Sequence, residues 1–130
     1  MEQNNFSAKN QLYDRCLKFG QDCRSLVRQL QKTTANIEDG KQLVRSSGSV
    51  GANYIEGWES VSPKDELHRL KICRKEAKES RHWLSLLYVI EDDKKIEAER
   101  QRLAQEALEL TKILGSIIHG KEGTRIKKKD

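Results

Sequence analysis

Apolar residues recur every three or four positions in four separate stretches of the 130-residue chain, which is the spacing of one helix face. Pro63 is the single proline, so almost nothing interrupts a helical backbone. Leu, Glu, Lys, Gln and Arg are abundant, whereas aromatic residues make up 5% of the sequence. Because β-branched and aromatic residues favour strands, their scarcity predicts an all-α protein.

The spacing predicts four helices, over residues 7–31, 34–57, 62–91 and 94–119. Ser7 and Thr34 are candidate N-caps, and Ser62 followed by Pro63 is the clearest helix start. Helices of this length joined by short loops favour an antiparallel up-down four-helix bundle. We therefore expect one domain over residues 1–119, followed by a disordered basic tail over 120–130.

The composition also limits where the protein works. No apolar run approaches the ~20 residues of a membrane span, and the N-terminus lacks an apolar signal region. We expect a cytoplasmic protein that does not contact membranes. The three cysteines lack metal-site spacing, so we interpret them as reduced structural thiols: Cys16, Cys23 and Cys73.

One face of the third helix is almost entirely basic. It carries Lys64, Lys71, Arg74, Lys75, Lys78, Arg81 and His82. A face of one sign could follow phosphates, and the tail adds Lys127, Lys128 and Lys129. Because base-stacking aromatics are absent, binding to RNA or DNA would be backbone-directed and weakly sequence-specific. The alternative is a solvated face neutralised by the acidic residues of the fourth helix.

Two apolar stripes run along the third helix. The first predicts its core face: Leu70, Cys73, Ala77, Ser80, Leu84, Leu87 and Tyr88. The second predicts an oligomer interface, because a monomeric bundle needs one stripe per helix: Ile72, Glu76, Glu79, Trp83, Leu86 and Ile90. A wide core stripe with an amphipathic edge is the alternative interpretation.

The stretch SSGSVGANYIEGW interrupts the second helix pattern with three glycines. Ser47, Gly48 and Gly51 predict a small-residue patch that lets a neighbouring helix approach closely. Gly57 is expected to end the helix. Asn53 and Glu56 lie off the core face, where they could bond the following turn or a neighbouring subunit.

No catalytic signature is present. Glu79 and His82 have the E-x-x-H spacing of di-iron bundles, but the required second copy is missing. The sequence also lacks H-E-x-x-H, P-loop and G-x-S-x-G motifs. We therefore predict no catalytic residues, no metal, no cofactor and no enzymatic activity.

Residues 45–87 resemble the small bacterial proteins encoded within intervening sequences of large-subunit rRNA genes. Their R-S-x-x-S-[IV]-x-A-N-x-x-E-G element matches Arg45, Ser46, Ser49, Val50, Ala52, Asn53, Glu56 and Gly57. Their S-x-K-[DE] and K-E-A-[RK]-E-[ST]-x-x-W-L elements match Ser62, Lys64, Asp65 and residues 75–84. The resemblance implies an antiparallel bundle assembled as a ring-like homopentamer. It also extends to the accessory variability protein of diversity-generating retroelements, which binds nucleic acid and partners a reverse transcriptase.

These observations lead to two functional hypotheses. The first is a non-enzymatic, oligomeric accessory protein that binds RNA or DNA through the basic helix face and partners a reverse transcriptase. The second is a protein–protein interaction scaffold without direct nucleic-acid binding.

Overall fold

The computed structural model describes the backbone of residues 2–129 and the side chains of residues 7–124. Its four helices are α1 (Glu2–Gln29), α2 (Thr34–Trp58), α3 (Pro63–Leu86) and α4 (Lys94–Lys129). Residues 2–129 contain no strand. The prediction of an all-α, four-helix protein is confirmed.

The helices close into a bundle because α4 packs against α1 as well as against α3, while α2 packs against α1 and α3. Contacts between α2 and α3 pair residues in opposite chain order. Ser46 Oγ lies 2.8 Å from Ser80 Oγ, and Arg69 Nη1 donates to Asn53 Oδ1 at 3.3 Å. The same order holds between α1 and α4, where Arg15 binds Glu106 and the later Asp22 binds the earlier Arg102.

One apolar stripe from each helix fills the core, as the spacing predicts. The fully buried residues include Phe19 and Leu26 of α1, Leu43 and Val50 of α2, Leu84 of α3, and Leu103, Leu110 and Leu114 of α4. Burying a side chain of this size contributes roughly 1.5–3 kcal/mol. Tyr88 is an exception to the predicted core, because it is 52% exposed.

Side-chain caps fix the starts of three helices. Thr33, not Thr34, caps α2 by accepting a hydrogen bond from the Asn36 backbone at 3.1 Å. Ser62 caps α3 as predicted, by accepting from the Asp65 backbone at 3.2 Å. Asp93 accepts from the Ile96 backbone at 3.1 Å and begins α4. Ser7 caps nothing, since α1 already begins at Glu2.

A contact from α2 ends α3 at Leu86, where periodicity predicts helix as far as Glu91. Asn36 is buried and donates from Nδ2 to the Tyr88 carbonyl at 2.9 Å. Its Oδ1 accepts from the Tyr88 backbone N–H at 2.8 Å. These two bonds replace helical partners of Tyr88 and hold the segment after α3 against the start of α2.

The other helix ends also differ from the sequence prediction. The fourth helix continues to Lys129, which corrects its predicted end at His119. The second helix continues through Gly57 to Trp58, and no glycine within residues 2–129 has a positive φ. Gly57 therefore does not cap α2. It is a buried position against α3, where an added Cβ would lie 3.7 Å from Arg69 Cβ.

Candidate nucleic-acid interface and assembly surfaces

The basic face of α3 points away from the core. Its exposed members are Lys64, Lys71, Lys75, Lys78, Arg81 and His82. Arg74 is half-buried because its stem packs over α4, where an added Cβ on Gly115 would lie 3.9 Å from Arg74 Cδ. Seven predicted residues therefore share the outer surface of α3 or its border with α4.

The acidic residues of α4 are largely engaged elsewhere. Glu106 binds Arg15 of α1 at 2.7 Å, and Glu97 and Glu99 bind arginines of their own helix. Among residues 7–124, the one α4 carboxylate that reaches the basic face is Glu122, at 3.9 Å from Lys71 Nζ. The sequence left open whether α4 neutralises this face. In the described part of the chain, most cations of this face have no carboxylate partner.

Three of the four acidic residues of α3 are also occupied, and Asp65 of the first turn is exposed. Glu66 binds Lys121 at 2.6 Å, while Glu76 and Glu79 both bind Arg45. These carboxylates lie toward the neighbouring helices. The basic face therefore gains little compensation from its own helix.

Two residues of α4 extend the basic surface, and the sequence prediction omitted both. Lys112 and His119 are exposed and lie about one turn to either side of Gly115, the residue beneath Arg74. Sequence reasoning that considers one helix at a time cannot bring them beside α3. The side chains of the predicted tail residues lie outside the described residues: Lys127, Lys128 and Lys129.

The second stripe of α3 is partly used within the chain. Glu76 has a side chain that is 6% exposed and accepts from Arg45 Nη1 at 2.9 Å. Arg45 Nη2 also reaches Glu79, at 3.3 Å. Glu76 is thus a partner of α2 and offers almost no surface to another subunit, which corrects its predicted role. Ile72 and Trp83 are partly buried.

An apolar patch occupies the end of the bundle where α2 begins and α3 ends. It consists of Ile37, Leu86, Tyr88 and Ile90, which are 45–52% exposed. The hydrogen bonds of Asn36 with Tyr88 bring these residues to the same end. Two of them, Leu86 and Ile90, belong to the predicted oligomer interface.

The small residues of α2 lie against α1. An added Cβ on Gly51 would sit 3.6 Å from Cys16 Cβ, and one on Gly48 would sit 3.0 Å from the Arg24 guanidinium. Ser47 is fully buried, and its carbonyl would lie 3.4 Å from a Cβ added to Gly20 of α1. The glycines thus occur where α2 is in close contact with α1.

The polar residues of the same stretch bind α3. Asn53 Oδ1 accepts from Arg69 at 3.3 Å, and Glu56 pairs with the same guanidinium at 2.7 Å. Gly57 lies beneath the stem of Arg69. Both side chains therefore have a partner on α3 within the chain.

The three thiols are buried and unsuited to nucleophilic chemistry. Burial raises the pKa of Cys16 and of Cys23 to about 12, and it also raises the pKa of Cys73. The Cys73 thiol donates to the Val50 carbonyl at 3.0 Å. Because a thiolate is the reactive form, these groups act as small apolar core residues.

No group of three or more His, Cys, Asp or Glu in the described residues is placed to hold a metal ion. Glu79 of the E-x-x-H pair instead pairs with Arg45. The His82 ring packs edge-on against Trp83, with 4.9 Å between the ring centroids. None of the helices, as far as residues 2–129 show, has an apolar run able to cross a membrane.

These features define a small helical bundle with a basic outer face and one apolar end. The family model of the 23S rRNA-intervening sequence proteins matches residues 8–116, and the chain belongs to this family. The resemblance seen in residues 45–87 is thereby confirmed.

A solved structure has the same fold. It is the 1.70 Å crystal structure of a protein of unknown function from the S23 ribosomal protein family of Bacteroides thetaiotaomicron VPI-5482. The two chains are 30% identical with a TM-score of 0.73, over 85% of this chain and 97% of that one. No curated protein sequence matches the chain.

Proposed function

We propose that this protein is a non-enzymatic, oligomeric accessory protein that binds the RNA or DNA backbone through the basic face of α3. The opposite chain order of the helix contacts supports an antiparallel up-down arrangement. The family resemblance supports a homopentameric ring. A bundle of this kind would present one copy of the basic face on every subunit.

One observation carries the proposal: the basic face is poorly compensated by carboxylates. From Lys64 to His82 the helix rises about 27 Å at 1.5 Å per residue, a length that spans several phosphates. Lys64, Lys75 and Lys78 make no ion pair with another described residue, and all three are exposed. Exposed lysines on a rigid helix can contact phosphates without first breaking an internal pair.

Charge reversal with a matched control tests the proposal. Lys64→Glu, Lys75→Glu and Lys78→Glu together remove three exposed cations from the face. The control reverses three exposed lysines elsewhere, Lys32, Lys94 and Lys95, and therefore makes the same change in net charge. The readout is fluorescence anisotropy of a labelled duplex across a salt series, with duplex RNA and duplex DNA in separate arms.

The face variant should lose at least about tenfold in affinity, and its log–log salt slope on DNA should flatten by about 0.9 for each lost phosphate contact. The control should retain most of its binding. If the two folded variants bound the duplex with equal affinity, binding would depend on net charge and not on the position of the lysines. That result would refute this interface. Arg74 is left unchanged because its stem also packs against α4.

A second candidate function is a protein–protein scaffold, with a reverse transcriptase as one possible partner. The exposed apolar patch favours it, because exposed aromatic and aliphatic side chains at one end suit a protein contact. The same patch could join copies of the chain in a ring.

Light scattering after size exclusion tests assembly. A pentamer of the 15.0 kDa chain would have a mass of 5 × 15.0 = 75 kDa. Leu86→Glu with Ile90→Glu should lower that mass, whereas the control Lys94→Glu with Lys95→Glu should not. A monomer at micromolar concentration in the unmodified protein would contradict the oligomer proposal, and a nuclease-resistant pull-down of a partner would favour the scaffold.

A further inference from the structure

A ring with an odd number of subunits needs two different surfaces on every subunit. A contact that pairs one patch with itself produces a two-fold dimer, so a five-membered ring must join one surface to a different one at each interface. The homopentamer proposed above therefore requires a complementary pair of surfaces, and the subunit contact inferred below rests on it. Two surfaces in the described part of the chain meet this requirement.

The first surface is the outer groove between α1 and α2. It holds two hollows of about 350 and 270 Å³ that follow one another along α1 from Tyr13 to Val27. That span is about 21 Å at 1.5 Å per residue. Glycines of both helices line the groove, and three of its apolar side chains are 37–45% exposed: Leu17, Ile37 and Ile55.

The groove has a basic character because of Arg24. This side chain is half-buried in the groove, and its Nη1 donates to the Gly20 carbonyl at 3.1 Å. Its guanidinium lies over Gly48, where an added Cβ would be 3.0 Å from Nη2. Among residues 7–124, no carboxylate pairs with Arg24 or lines either hollow. A guanidinium has five N–H donors and binds carboxylates well, so the groove suits an apolar partner that carries acidic groups.

The second surface is the connection that follows α3. Tyr88 and Ile90 are about half exposed, whereas Leu87 is buried and has an extended backbone. Side chains along this connection therefore alternate between outward and inward, as they do in an extended chain. Lys94 and Lys95 begin α4, and between them and the outward apolar side chains lie three exposed acidic residues: Glu91, Asp92 and Asp93.

We propose that residues 86–92 of one copy dock into the α1–α2 groove of the next copy. The outward apolar side chains pack against Leu17 and Ile55, and the carboxylates that follow them pair with Arg24. Leu17 and Arg24 are about 10 Å apart along α1, a distance that four residues of an extended segment can span. The contact joins apolar to apolar and acid to base, and it uses each surface once per subunit.

Charge exchange tests the pairing. Arg24→Glu should raise the concentration at which the assembly dissociates by at least about tenfold, and Glu91→Lys with Asp92→Lys should do the same. A chain with all three changes again has opposite charges at the contact and should recover most of the lost affinity. Arg28→Glu is the control, because it makes an equal charge change at an exposed residue of α1 outside both hollows. Light scattering over a dilution series measures each assembly, and circular dichroism confirms that each variant is folded.

Cross-linking two different chains adds a positional readout. A chain with Ile55→Cys is mixed at low concentration with a chain carrying Ile90→Cys, concentrated, and treated with a short bismaleimide. The native thiols are buried and should not react. A product of 2 × 15.0 = 30 kDa should form from the mixture and from neither chain alone. Ser116→Cys, at an exposed position of α4, should give no such product with Ile90→Cys.

The outcomes separate this contact from the ring itself. A monomeric unmodified protein would refute the homopentamer and the contact together. An assembly that is unchanged by Arg24→Glu and by the paired acid reversal would refute the contact and leave the ring in place. Equal weakening by Arg28→Glu, or no cross-link between Ile55→Cys and Ile90→Cys, would also refute the contact alone.

Discussion

Asn36 offers the sharpest test of how the connection after α3 is fixed. The residue is 4% exposed. Its side chain makes three hydrogen bonds, one to the Gln31 carbonyl and two to the backbone N–H and carbonyl of Tyr88. Asn36→Ala removes all three and leaves the Tyr88 N–H and C=O without their partners. At ~0.5–1.5 kcal/mol for each bond, less ~0.6 kcal/mol of improved helix propensity, the net loss should be about 1–4 kcal/mol.

The loss is measured by urea unfolding at fixed protein concentration and by thermal melting. For a domain of this size, each kcal/mol corresponds to roughly 3–5 °C in Tm. Hydrogen exchange at Tyr88 adds a local readout, because its amide loses its acceptor. Asn36→Asp keeps the acceptor for that amide and loses both donated bonds, so it should retain more protection at Tyr88 than Asn36→Ala does.

Asn53→Ala is the matched control. Asn53 is half-buried and makes one long bond to Arg69 and one local bond to the Ser49 carbonyl. Its loss should cost under about 1 kcal/mol. If Asn36→Ala were no more destabilising than Asn53→Ala, and Tyr88 kept its protection, the reasoning that Asn36 ends α3 would be refuted.

Two further predictions concern helix glycines and acid stability. Gly115→Ala should raise the free energy of unfolding by about 0.5–1 kcal/mol, since an added Cβ meets only ordinary contact, whereas Gly48→Ala should gain less because the Arg24 guanidinium lies 3.0 Å away. Hydrogen bonds from arginines lower the pKa of Glu97 and of Glu99. The two ionised carboxylates therefore stabilise the folded state fully above about pH 4.3, and this stabilisation falls as the pH drops below that value. Both carboxylates are about one-third exposed, so each should contribute under about 1 kcal/mol. Unfolding measured from pH 7 to pH 3 should show this loss of stability, and Arg102→Gln should abolish the share that comes from Glu99.

The helices and their core faces were predictable because they depend on local periodicity. Positions such as Phe19, Val50 and Leu110 follow directly from spacings of three and four. The Ser62 cap was predictable for the same reason, since its bond to Asp65 spans three residues. These features need no knowledge of which helix packs against which.

The incorrect predictions concern contacts between distant residues. Nothing near Leu86 shows that a side chain of α2 will bind the backbone of Tyr88 and end the helix. Glu76 has the sequence character of a surface acid, and only the proximity of Arg45 explains its burial. The same limit applies to the basic face, because its charge balance depends on where the carboxylates of α4 find partners.

The connectivity of the bundle also has a consequence for the order in which the chain acquires its structure. Within the described part of the chain, three of the four seams join helices that follow one another, and only the contact of α4 with α1 joins distant ones. A nascent chain can therefore form the first three helices, but their common apolar side stays uncovered until α4 is synthesised. Polar pairs such as Arg15 with Glu106 lie along this last seam and would set its register as it closes. Until then the unfinished chain exposes the side chains that α4 will bury, and in that interval it is most open to chaperones and to association with other nascent copies.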